Sequence, residues 1–124
     1  MKKVINTTNA PKAIGPYSQA IEANNMVFIS GQIPVNLENS EIPEGIDAQT
    51  EQVMKNIGAI LKEAGLNYSN VVKTTCLLSN MDNFQAMNAV YAKYFPENPP
   101  ARAAYGVSRL PLNVLVEIES IAVR

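Results

Sequence analysis

The sequence contains no histidine. That absence removes both the commonest side chain titrating near neutrality and the commonest metal ligand. A single cysteine, Cys76, rules out an internal disulfide and any multi-thiolate metal site. It lies in a run of Val, Thr and Leu and reads as a small strand hydrophobe, since a reactive thiol needs an electropositive, accessible setting. Basic residues form no cluster. Lys2, Lys3, Lys12, Lys55, Lys62, Lys73 and Lys93 are scattered, and the formal net charge is −1. Nucleic-acid binding that rests on neutralising several phosphates is therefore not expected. No apolar run is long enough to span a bilayer. Met1-Lys2-Lys3-Val4-Ile5 turns polar before a signal region develops, so the expected location is the cytoplasm. Zinc spacings, a phosphate-binding glycine loop, a dinucleotide fingerprint and a Ser-His-Asp set are also missing. Any chemistry falls to carboxylate, phenol, arginine, backbone and water, a set suited to an easy reaction on a reactive substrate.

What is present makes a packed domain. The 124 residues are 47% hydrophobic and 17% charged, which fits one domain over residues 1–124 with a core of its own. Lys3 to Asn6 reads as a short edge strand and Thr7 to Ser18 as a loop. Gln19 to Ala23 and Met26 to Ser30 read as strands joined by Asn24-Asn25, a pair suited to a type I′ turn because Asn tolerates positive φ. Gly31 marks a strand end that admits close approach. Asp47 is expected to cap a helix to Ala64, with Val53, Met54, Ile57, Ile60, Leu61 and Ala64 at helical spacing and Gly65 just past the end. Val71 to Leu78 reads as a strand. Asn80 or Asp82 is expected to cap a second helix to Phe95, whose apolar stripe is Phe84, Met87, Tyr91, Tyr94 and Phe95. Ala101 to Val107 and Val114 to Val123 complete the pattern.

The order βββ-α-β-α-ββ implies an α+β fold with both helices on one face of a sheet. In the last strand Val114, Val116 and Ile118 point one way, while Leu115, Ile121 and Val123 point the other. Two helices cover only one face, so a second copy of the chain is expected on the other, with a cleft between subunits.

Two charges interrupt these apolar strands. Arg102 lies in Pro100-Ala101-Arg102-Ala103-Ala104-Tyr105-Gly106. A guanidinium keeps its charge and forks around carboxylates, so this one either clamps an anionic ligand or pairs with Glu117 or Glu119, unless it is a plain surface cation. Glu117 and Glu119 share a face of the last strand with Leu115 and Ile121. Burial raises a carboxylate's pKa and a nearby arginine lowers it. A glutamate between those influences orients a water or moves a proton, unless it is only an ion-pair partner. Asn88 sits at the border of the second helix's stripe, where its amide ties down a loop or faces a ligand. Tyr17 follows Gly15-Pro16 and either covers a cleft or anchors packing. Ser30-Gly31 adds a hydroxyl and an unhindered backbone.

Several spaced segments together resemble the RidA/YjgF family of enamine/imine deaminases over essentially the whole chain. They are Asn9-Ala10-Pro11, Ile14-Gly15-Pro16-Tyr17-Ser18-Gln19, Phe28-Ile29-Ser30-Gly31-Gln32-Ile33-Pro34, Val72-Lys73-Thr74-Thr75 and the helix around Asn88. Pro100-Ala101-Arg102-Ala103, Leu110-Pro111 and Val116-Glu117-Ile118-Glu119 close the set. The resemblance implies a chorismate-mutase-like α+β fold with a mixed sheet, and a homotrimer with sites between subunits. It also implies cofactor-free hydrolysis of 2-aminoacrylate and related enamine or imine carboxylates to 2-keto acids and ammonia. On that basis Arg102 would hold the substrate carboxylate and Glu117 would place the water. Tyr17, Ser30, Gly31 and Asn88 would line the cleft. Many relatives carry a cysteine where this chain has Ala104; a thiol role is excluded here, while the Ala104 backbone N–H remains a candidate carboxylate donor. The same cleft would also serve a non-catalytic small-carboxylate sensor.

Overall fold

The computed structural model describes every residue, Met1–Arg124. Six strands form one mixed sheet in the order β1-β2-β3-β6-β4-β5: β1 Lys3–Ile5, β2 Ala20–Ala23, β3 Met26–Gln32, β4 Val71–Leu78, β5 Ala101–Gly106 and β6 Val116–Val123. All pairings are antiparallel except β4 with β5. That parallel pair needs a crossover, and the second helix provides it. The helices are α1, Ile46–Glu63, and α2, Phe84–Ala92. The observed order is the expected one.

Local chemistry explains most of the boundaries. Asn24 and Asn25 have φ of 51° and 62°, the double left-handed turn that a two-residue hairpin requires. At the end of α1, Gly65 adopts φ 76°. Its N–H donates to Lys62 O, and the Leu66 N–H donates to Leu61 O, closing a Schellman motif. The start of α1 differs from expectation. Gly45, not Asp47, is the N-cap, with φ 89°, and Asp47 lies in the first turn, where a carboxylate favours the positive end of the helix dipole. Asn80 does cap, but it caps a 3-10 turn, Met81–Asn83, that leads into α2. That helix stops at Ala92 because Lys93, Tyr94 and Phe95 bond three residues back, tightening the chain out of the α form. The strand Met26–Gln32 runs through Gly31 rather than ending there, and its register against β6 shifts between Ile29 and Gln32. Ser30 and Gly31 therefore sit in a bulge.

Alternation divides the sheet sharply. Val116, Ile118 and Ala122 of β6 are fully buried with Val27, Ile29, Cys76 and Leu78, and Val53, Met54, Ile57, Ile60 and Leu61 of α1 close over them. On the other face Phe28 is 41% exposed, and Ile21, Leu77, Ile121 and Val123 are half-buried. The apolar open face expected from the last strand is thus present.

Buried amides tie the loops to this frame. Gln19 accepts from the Thr7 N–H at 2.8 Å, and its Nε2 donates to Pro11 O at 2.8 Å and Thr7 O at 3.1 Å. Gln49 of α1 accepts from the Leu115 N–H at 2.8 Å, which fixes the entry of β6. Arg124 forks onto Glu22 at 2.8 and 3.0 Å and caps Ala64 O at 2.7 Å, joining the last strand to β2 and to the end of α1. Gln19→Ala would strand several buried polar groups of the Thr7–Ser18 loop. The expected loss in urea unfolding is about 3 kcal/mol, at roughly 1–3 kcal/mol per unsatisfied buried group.

Candidate functional site

The side chains singled out in the sequence fall into two clusters on opposite faces of the sheet. Arg102 pairs in register with Thr74, a buried residue of the helix-covered face, so its side chain leaves the edge strand β5 toward α2. There its Nη1 donates to Asn88 Oδ1 at 2.6 Å. Its guanidinium carbon lies 5.4 Å from the Phe84 ring centroid and 5.0 Å from that of Tyr91. Asn88 neither ties down a loop nor stands free; it holds the arginine. Ala104 faces the same way, beside its register partner Cys76. Cys76 is fully buried and its thiol is pushed up to about 11 by that burial, in keeping with a packing role.

No carboxylate of the chain neutralises Arg102. The ion pairs are Lys93–Glu51 and Arg124–Glu22, so the pairing with Glu117 or Glu119 left open by the sequence does not form. What occupies the guanidinium is neutral: one amide oxygen and two aromatic rings. The residue is exposed, and the guanidinium has more N–H donors than the bond to Asn88 uses.

Glu117 lies on the other face. It alternates with buried Val116 and Ile118 and sits opposite Leu77 on β4. Its carboxylate rests against Gly31 so closely that a Cβ built there would lie 2.1 Å from Oε2. Only glycine fits. The bulge around Ser30 is pinned in turn: Ser30 Oγ donates to Ser18 O at 2.6 Å, and the Ser30 N–H donates to Gln19 O at 2.9 Å. These bonds tie the loop end that carries Tyr17 to the bulge. Tyr17 is 54% exposed in the single chain. Burial, and then the neighbouring charge of Glu119, raise the Glu117 pKa. The expected counter-effect of a nearby arginine is absent within the chain, because Arg102 projects from the opposite face.

The structure therefore brings together Ser30, Gly31 and Glu117, with Tyr17 on the loop bonded to Ser30, and separately Arg102, Asn88 and Ala104. It does not bring the two groups together in one chain. Glu117 and Arg102 are two strands apart, roughly 10 Å, before the offset along the strands is added. Two surface hollows, about 190 Å³ beside Lys73 and about 680 Å³ beside Lys55, include none of these residues. Sequence reading assigned Phe84 and Tyr91 to the helix core and missed their contact with Arg102. The signal was there: Phe84, Asn88 and Tyr91 are spaced four and three apart, on one helix face.

Residues 7–124 match the family described as Endoribonuclease L-PSP. The chain belongs to the RidA/YjgF family. It is 57% identical to a RutC family protein of Pyrococcus horikoshii, over 98% of each chain. It is 48% identical to the 2-iminobutanoate/2-iminopropanoate deaminase of Mus musculus, over 100% of this chain and 93% of that one. The crystal structure of Escherichia coli TdcF with bound serine superposes with a TM-score of 0.95 at 41% identity, over 98% of each chain. The α+β fold expected from the sequence is thus the family's fold. No helix is long and apolar enough to cross a membrane.

Two outcomes test the Glu117 cluster. Glu119→Gln removes a like charge, so Glu117 is expected to titrate at lower pH in ¹³C carboxyl NMR. Because the folded state favours protonated Glu117, the stability this group contributes is present at low pH and is lost as pH rises through its raised pKa. The variant should show less of that loss.

Proposed function

We propose that this protein is a cofactor-independent deaminase, hydrolysing small enamine and imine carboxylates such as 2-aminoacrylate to 2-keto acids and ammonia. We further propose that its site is assembled from two copies of the chain in a homotrimer. The observation that carries the reading is the unneutralised guanidinium of Arg102, offered on one face of the sheet while the half-buried carboxyl of Glu117 stands on the other. Deaminase relatives near half identity support the reaction class. The apolar open face, with Phe28 41% and Tyr105 52% exposed, supports association through that surface.

The chemistry follows from the two clusters. Arg102 grips the substrate carboxylate through two parallel hydrogen bonds. Burial and Glu119 raise the Glu117 pKa, which makes it a better proton carrier; in its protonated form it gives its proton to the enamine carbon, producing an iminium and leaving a carboxylate. That carboxylate orients a water toward the electrophilic carbon and takes its proton. The resulting carbinolamine collapses: the C–N bond breaks, ammonia leaves, and the keto acid remains. Tyr17 and the Ser30-Gly31 bulge wall the cleft, and the substrate's own reactivity makes positioning the main task. Small-molecule imine carboxylates are the partners of this site; neither nucleic acid nor a membrane is required.

The assay couples the purified protein to a serine dehydratase and follows keto acid and ammonia under conditions where imine hydrolysis limits the rate. Acceleration is expected; unchanged appearance of both products would count decisively against the reaction. Arg102→Ala should lower kcat/KM by about a hundredfold or more, and Glu117→Gln should act mainly on kcat, within the roughly 10²–10⁴ range of general acid–base catalysis.

Mixing those two inactive variants tests where the site lies. If each site draws Arg102 from one copy and Glu117 from another, refolding equal amounts together should restore about a quarter of wild-type activity, as random assembly in a closed ring requires. No recovery would place the whole site within a single chain.

A further inference from the structure

The surroundings of Arg102 contain more than its hydrogen bond to Asn88. Phe84 and Tyr91 are seven residues apart on α2, and two turns of helix advance about 10.5 Å. The guanidinium carbon nevertheless lies within 5.0 and 5.4 Å of both ring centroids, so one cation contacts both rings, and Asn88 on the turn between them accepts its hydrogen bond. Of the two rings, Tyr91 is the one held at both ends. Its face packs on Phe95 at a centroid distance of 4.8 Å, and its hydroxyl lies 2.7 Å from Thr74 Oγ1 in a buried hydrogen bond. Tyr91 is only 6% exposed and Thr74 only 1%. Thr74 is also the register partner of Arg102 on the adjacent strand. Strand, ring and guanidinium thus form a closed triangle: Thr74 sets Tyr91, Tyr91 sets the guanidinium, and β5 returns Arg102 to Thr74.

We propose that Tyr91, locked by Thr74, is a positioning residue that holds Arg102 ready for a ligand carboxylate. This rests on the reading of Arg102 as the carboxylate clamp. The physical need is clear. An arginine side chain has many rotamers, and a substrate of a few heavy atoms makes too few contacts to order a loose one and still bind well. A cation held against an aromatic face loses that freedom before the ligand arrives, while its hydrogen-bonding edge stays open. A carboxylate in place of the rings would hold the guanidinium equally well but would occupy the donors the substrate needs.

The experiment uses the full-length protein with 2-oxobutanoate as probe. It combines calorimetric Kd, KM and kcat in the dehydratase-coupled assay, and ¹⁵N relaxation of the arginine Nε–H groups in the free protein. The chain's arginines are Arg102, Arg109 and Arg124, so Arg102→Lys assigns the signal. In Tyr91→Leu the Arg102 Nε–H should become mobile, with Kd and KM rising about tenfold and kcat within about twofold of wild type. Tyr91→Phe and Thr74→Val should each raise Kd about threefold. The double variant should be no worse than either alone, since both break the same hydrogen bond. Val53→Ala, a fully buried change in α1, gives a destabilised control that should leave Kd and Arg102 order untouched. If Tyr91→Leu does not fold, Tyr91→Phe and Thr74→Val carry the test. An Arg102 signal as rigid in the variants as in wild type, or a Kd that tracks only their loss of stability, overturns the inference. An inactive wild type in which these substitutions still free Arg102 overturns the proposed reaction and upholds the role of Tyr91.

Discussion

A positive charge left without a negative partner is the constraint around which this molecule is arranged. Arg102 could have been satisfied by any of the chain's carboxylates, two of which lie only two strands away on β6. Instead it is surrounded by an amide and two aromatic rings. Those groups hold the guanidinium in place without neutralising it, so the attraction for an incoming anion is preserved. The helix face Phe84-Asn88-Tyr91 thus serves both this side chain and the core, in which Tyr91 is buried.

Strand alternation keeps the two chemical halves apart. Arg102 and Ala104 point to the helix side of β5, whereas Glu117 and Glu119 point to the open side of β6. A single-residue slip of either strand would bring the charges onto one face, where they would pair and cancel. The register instead isolates a carboxylate whose pKa is raised by burial and by its twin, with Gly31 clearing the space it occupies. Each half is built by the fold with care: Gln49 fixes where β6 begins, and Ser30 and Gln19 bring the Tyr17 loop up against the bulge.

Much of the architecture was legible because it rests on short-range rules. The Asn24-Asn25 turn, the Gly65 helix stop and the apolar stripe of α1 each follow from a few neighbouring residues. The misreadings came where local and tertiary preferences diverge. Asp47 looks like a cap, but the glycine at position 45 reaches the required backbone angle and leaves the aspartate to the first turn. The second helix carries apolar residues to Phe95, yet its last turn tightens at Lys93 so that Phe95 can pack on Tyr91 and Tyr68. Gly31 reads as a strand end because glycine weakens strands; in the sheet it is a bulge that Glu117 fills.

Composition, spacing and motif order by themselves determined the element order, the family, the residues able to carry chemistry and the existence of an uncovered apolar face. These depend on local propensity and on hydrophobic periodicity, both written along the chain. Only the tertiary structure decided that Arg102 and Glu117 stand on opposite faces, that no carboxylate quenches the guanidinium, and that Tyr91 and Phe84 embrace it. Those facts depend on the pairing register of strands distant in sequence and on the helix packed across them. No stretch of neighbouring residues contains that information.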